Sequence, residues 1–228
     1  MRHIGVLWLW MTACAEEDPA AWIGDPAPPV NPNLAVGRTY VLDLASLDFT
    51  VPAGFSAVAY PLLASVSDAE RAFTVLGVRG GQMMIRLGDV VGGAGQRAQD
   101  LCALTEDVVL DDFGALWASR MGPALPGRTG PVDTRYRDVE LTGRLTANGD
   151  AVDRIRFNAV ADLTEWSALL GAPICPLFGG FGIVCVACPA GAQSCLELES
   201  RDGVAVADPT VPRLQPVTVA SRAARGCP

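Results

Sequence analysis

Polar and apolar residues alternate most regularly between Tyr136 and Ala161. Val139, Leu141 and Leu145 interleave with Glu140, Thr142 and Arg144, and after Asn148-Gly149-Asp150 the pattern returns with Ile155 and Phe157 set against Arg154, Arg156 and Asn158. A period of two sends alternate side chains to opposite faces of a strand, so the stretch reads as a hairpin with one dry and one wet face. A second hairpin is predicted where residues 72–79 and 82–87 flank Gly80-Gly81, a pair suited to positive φ in a two-residue loop. Residues 39–44 form a short strand pattern, and 194–199 and 203–207 read as closing strands.

The helical signal is weaker. Asp162-Leu163-Thr164-Glu165 has the spacing of a capping box and opens a short helix over 163–170, stopped by Gly171 and Pro173. Shorter helical pieces are expected over 57–64, 97–104 and 113–119. The sum is one mainly β domain, residues 39–228: an antiparallel curled sheet or incomplete barrel with a few short helices, stapled by disulfides.

Two apolar stretches carry a different message. Between Glu165 and Glu197 there are 31 residues without a formal charge, long enough for a membrane span. Its prolines (Pro173, Pro176, Pro189) and repeated glycines exclude a spanning helix, because each proline removes a backbone hydrogen bond that hydrocarbon cannot replace. At the other end of the chain, Met1-Arg2-His3 is positive, Ile4 to Met11 is apolar, and Thr12-Ala13 forms a small-residue step before Cys14. That is the layout of an export signal over residues 1–13, too short at about 12 Å to remain as a membrane anchor.

Met11-Thr12-Ala13-Cys14 resembles the lipobox of bacterial lipoproteins, with Met11 where that family usually has Leu. The resemblance implies that Cys14 is acylated and becomes the first mature residue. Ala15 after it carries no inner-membrane retention signal, which implies the outer membrane. More than one acyl chain is needed for stable attachment, and the lipoprotein modification supplies them. Residues 14–38, with Pro19, Pro26, Pro28, Pro29 and Pro32, then read as a lipidated proline-rich tether, reaching on the order of 75 Å if extended.

Composition narrows the chemistry. The formal charge is −8 and becomes −9 once Arg2 leaves with the signal, so phosphate backbones are repelled and no nucleic-acid partner is expected. The chain has no lysine, and its single histidine, His3, lies in the signal. A mature chain without either cannot form a Ser-His-Asp triad, a Schiff base or a histidine metal site. No cofactor and no metal is expected. The acidic run Glu106, Asp107, Asp111 and Asp112 lacks the spacing of a calcium loop and reads as a solvated loop or helix start, while Asp150 and Asp153 read as turn residues.

Beyond Cys14, six cysteines remain: Cys102, Cys175, Cys185, Cys188, Cys195 and Cys227, four of them clustered at 175–195. An even number in an oxidising compartment predicts three disulfides, with fifteen possible pairings; local bridges in the cluster would leave Cys102 to Cys227. Cys185-Val186-Ala187-Cys188 also has the form of a redox C-x-x-C, and the four clustered thiols invite a zinc reading, but a preceding strand pattern and the C-x9-C-x2-C-x6-C spacing fit neither. The arrangement around Cys185, Cys188 and Cys195, with Asp100-Leu101-Cys102 upstream, resembles cysteine-rich envelope lipoproteins of myxobacterial-type Gram-negative genomes, from about Tyr40 to Leu198. The expectation is a membrane-anchored envelope lipoprotein without enzymatic activity, in a structural or interaction role with a protein partner; the alternative is a periplasmic carrier of an apolar ligand such as lipid.

Overall fold

A computed structural model describes residues 30–43, 46–57, 70–112, 116–122, 125–129, 132–188 and 194–227. Eleven strands are described: β1 (Thr39–Asp43), β2 (Asp48–Val51), β3 (Glu70–Arg79), β4 (Gln82–Val91), β5 (Ala98–Gln99), β6 (Glu106–Asp112), β7 (Trp117–Gly122), β8 (Leu125–Thr129), β9 (Val132–Leu145), β10 (Ala151–Asp162) and β11 (Cys195–Ala207). Three helices accompany them, α1 (Thr164–Leu170), α2 (Ile174–Gly179) and α3 (Val219–Ala224). Eight strands pair antiparallel in the order β1-β3-β4-β6-β7-β9-β10-β11, and β11 pairs back onto β1, so the expected curled sheet closes into a barrel. Closure leaves the ring no free edge. The remaining strands add to its outside: β2 on β11, β5 on β4 and β8 on β9.

Both predicted hairpins are present. Arg79 pairs with Gln82 across Gly80 and Gly81, which take φ of 61° and 78° as a type I′ turn requires. β9 and β10 pair from Val152↔Leu145 to Asp162↔Arg135. Register shifts interrupt the β9–β10–β11 pairing, close to Asp138, Arg154 and Asp202, all at positive φ. Such bulges bend and twist a strand, which lets long strands curl into a ring. The alternation leaves no mark of them in the sequence.

Inward positions form one core: Tyr40, Val75, Met83, Ile85, Val108, Leu110, Trp117, Val139, Leu145, Ile155, Ala159 and Ala205, with Phe73, Leu141 and Phe157 packed against it. The chain before β1 joins in. A 3-10 turn over Pro32–Ala35 buries Ala35 at the Asn148-Gly149 end of the barrel, Arg38 pairs with Asp150 at 2.5 Å, and the Tyr40 hydroxyl donates to the Gly149 carbonyl at 2.7 Å. Burial pushes the Tyr40 phenol up to about 12, against the pull of Arg38, so it stays a protonated donor.

Several expectations need correction. Residues 97–104 are not helical: Ala98–Gln99 is a two-residue strand on β4, followed by a turn in which the Asp100 side chain accepts from the Cys102 amide. Of the helix expected over 113–119, residues 113–115 lie outside the described residues, and 117–119 belong to β7, where Trp117 and Ala118 pair with β6 on one side and β9 on the other. Glu106–Asp112 is a strand, with Val108 and Leu110 turned into the core. Of the helix expected over 57–64, residues 58–64 lie outside the described residues. The helix near Thr164 exists, but Leu163 is its N-cap and no capping box forms; Asp162 accepts from the Thr164 amide and hydroxyl just before the helix. The two closing strands are one continuous β11.

After β11 the chain runs back over the outside of the barrel as a strap. Val211 and Leu214 bury themselves on Val41, Ala72 and Val90, which face outward from β1, β3 and β4. The strap is held by side chains that accept its amides: Thr74 Oγ1 from Leu214 at 3.0 Å, Gln99 Oε1 from Gln215 at 2.7 Å and Thr105 Oγ1 from Val217 at 2.9 Å. At its start Arg97 donates to Glu70 and to Asp208. The Thr210 hydroxyl and amide, followed by Arg97, hold the Asp208 carboxyl below its ordinary value. A carboxylate with a lowered folded pKa stabilises above its unfolded value, and that contribution is lost as pH falls through the folded value. Acid titration of Asp208→Asn against the parent is therefore expected to show a deficit at neutral pH that begins to shrink at about pH 4 and is gone once pH has fallen below the folded value. A deficit independent of pH would show that the carboxylate charge is not what holds the strap.

Candidate functional site

The six cysteines form three pairs. Cys102 joins Cys227, Cys175 joins Cys185 and Cys188 joins Cys195, with Cα separations of 5.5, 5.7 and 5.1 Å. Cys14 lies outside the described residues. Two of the bridges belong to a helical cap over one end of the barrel. Trp166 on α1, Ile174 and Phe178 on α2, and Ile183 after it pack on Ala161, Leu196 and Leu198, with the Trp166 indole donating to Thr134 at 3.0 Å. Cys175–Cys185 closes the α2 loop on itself, and Cys188–Cys195 ties the loop to the start of β11.

This pairing bears on both sharper readings of the cluster. Cys185 and Cys188 are bonded to different partners, so the C-x-x-C is not a dithiol couple. The Asp162 carboxylate and the sulfurs of Cys188 and Cys195 lie within 4.8 Å of one another, but two of those three atoms form one disulfide. A disulfide lacks the thiolate charge that zinc selects, so this donor set does not fit a metal.

The acidic residues are committed to neighbours. Arg86 forks onto Asp107 at 2.6 and 2.7 Å, and that hydrogen bond raises the guanidinium above its ordinary value. Asp111 accepts from Gln82 at 2.9 Å, and Arg144 forks onto Asp153 at 2.8 and 2.7 Å. These are cross-strand pairs on the barrel surface, worth a few tenths of a kcal/mol to about 1 kcal/mol each.

The chemically distinctive group belongs to no sequence motif. Arg71 and Asp89 face each other across β3 and β4 at 2.7 Å, and the Asp89 side chain is 1% exposed. The Arg71 guanidinium lies 5.7 Å from the centroid of the Tyr136 ring. Burial alone draws the Arg71 pKa down; the Asp89 charge and then Tyr136 outweigh it, and the guanidinium ends above its ordinary value. Both residues sit in the phase of inward positions, Arg71 with Phe73 and Val75, Asp89 with Ile85 and Leu87. A charge on the dry phase of each of two adjacent strands was the available signal. The group sits between the barrel core and the capped end, where Tyr136 and Phe157 touch both clusters and stack edge to face at 5.5 Å.

No protein-family model matches the chain, and neither a curated protein nor a solved structure matches it. The functional reading therefore stands on the residues themselves.

Proposed function

We propose that the chain is a lipid-anchored protein of the cell envelope, held at the outer membrane by Cys14, whose stapled barrel works through surface contacts and not by catalysis. The observation that carries the reading is the pairing of all six cysteines beyond the leader, since disulfides persist in oxidising compartments and Cys14 is left as the one thiol, at the end of an export-type signal. The absence of lysine and of any histidine beyond His3 supports a non-catalytic role, because the chain cannot build the nucleophile–base pairs that use those residues. Among the described residues the inward positions hold large side chains, Tyr40, Phe73, Ile85 and Trp117, together with the charged Arg71–Asp89 pair, which favours surface contacts over carriage of an apolar ligand.

Metabolic labelling with an alkyne fatty acid tests the anchor. The parent is expected to incorporate label and fractionate with membranes, while Cys14→Ser loses the label and leaves the membrane fraction. Labelling of Cys14→Ser at the parent's level would remove the lipoprotein reading.

A further inference from the structure

The helical cap has a surface unlike the rest of the molecule. From Ala168 to Cys188 every side chain is apolar, glycine, or a disulfide-bonded cysteine, so no side chain there offers a charge or a strong hydrogen-bonding group. One side of this segment makes the second core; the other displays Leu169, Leu170, Leu177, Phe181 and Val184, each between 44 and 76% exposed. Scattered exposed apolar residues need no explanation, but five within sixteen residues on one stapled element form a patch of the kind that marks an interaction surface.

Its chemistry distinguishes a lipid surface from a protein. Protein interfaces carry a polar rim, and this segment supplies none; its exposed groups are aliphatic side chains and Phe181, which lipid accepts without a polar partner. Insertion below the headgroups makes one demand instead: backbone carried into hydrocarbon must find partners within the protein. The cap meets it at its tip, where the amides of Gly180, Phe181, Gly182 and Ile183 donate to the carbonyls of Leu177, Phe178, Gly179 and Phe178. Among the described residues no helix is long and apolar enough to span a membrane, so the segment fits the surface of a bilayer and not its interior.

The tether allows this placement. The chain enters the barrel beside Ala35 at the Gly149 end, and the cap closes the opposite end, after β10. The 15 residues from Ala15 to Pro29 reach at most about 50 Å, longer than the roughly 40 Å run of the twelve-residue β10. A domain leashed by its far end still brings the cap to the lipid. We infer that Leu177, Phe181 and Val184 insert into the headgroup region of the bilayer that holds Cys14, giving the domain a second, non-covalent membrane contact. The inference rests on the proposed lipid anchor for its geometry.

Depth quenching reads the contact locally. Phe181→Trp and, separately, Leu177→Trp are placed in the full acylated chain, reconstituted on phosphatidylcholine vesicles whose acyl chains carry bromine; Val219→Trp, on the exposed face of α3, is the reference. The emission added at 181 or 177 over the parent is expected to be blue-shifted, quenched on the order of two-fold by the brominated lipid, and protected from aqueous acrylamide, as insertion about 5 to 10 Å deep requires. The Val219→Trp reference should show the reverse. Emission at 181 and 177 that follows acrylamide as closely as the reference does would overturn the inference. So would protection without bromine quenching, which assigns the patch to a protein or a second copy. The mass of the same preparation reports acylation of Cys14, so the anchor and the cap contact fail separately.

Discussion

Replacing Cys102 and Cys227 together by serine is expected to lower the unfolding free energy by about 4 to 5 kcal/mol, the largest loss of the three bridges. The bridge closes a loop of 125 residues, and the chain entropy it removes from the unfolded state grows with the logarithm of loop length. The corresponding pairs Cys175–Cys185 and Cys188–Cys195 close loops of 10 and 7 residues, for which the same relation gives about 2 to 3 kcal/mol each. The folded state adds to the difference. Cys227 is the last tie of the strap, and losing it frees the segment whose Val211, Leu214 and Val217 are buried on the outside of the barrel. Urea denaturation of the three double-serine variants checks the ranking. Equal losses would mean that the strap holds equally well without its terminal bond.

Asp89→Ala should cost a comparable amount, about 3 to 5 kcal/mol, for a different reason. The substitution leaves the Arg71 guanidinium, whose side chain is only a quarter exposed, with its principal charge partner gone, and a largely buried charge left uncompensated is far more costly than the pair itself was favourable. Arg71→Met combined with Asp89→Leu is expected to recover most of the loss, because an apolar pair of similar size satisfies the same inward positions. Thermal unfolding of the two variants separates the cases: a double variant as unstable as Asp89→Ala alone would show that the polar group, and not its burial, is what the barrel needs.

What the sequence made legible follows from where its signals are local. The hairpins at Gly80-Gly81 and Asn148-Gly149 were readable because turn chemistry and a period of two coincide there. β6 was hidden because Glu106, Asp107, Asp111 and Asp112 surround only Val108, Val109 and Leu110, and Asp107 and Asp111 find partners on β4 that no local pattern announces. Closure was beyond reach for the same reason: β1 meets β11 about 165 residues later, through four pairs from Tyr40↔Ala207 to Asp43↔Val204. The strap from Asp208 onward shows no strand or helix periodicity until Val219, since it is held by individual threonine and glutamine side chains and not by a ladder. The cysteine count implied three bridges but left the partners open; proximity chose them. The charge-free segment was rightly denied a spanning helix, but its dry outer face became visible only once α1 and α2 showed which side they bury.

Address and scaffold both require a mature chain that begins at a lipid-bearing Cys14 and carries its six other thiols as three bonds. Intact and peptide mass spectrometry of the protein isolated from its own cells, under thiol-blocking conditions, addresses that state directly. The expected result is an amino-terminal peptide starting at acylated Cys14 together with disulfide-linked peptides joining Cys102 to Cys227, Cys175 to Cys185 and Cys188 to Cys195. A chain that retains Met1, bears no acyl group and has all seven cysteines alkylated would refute it.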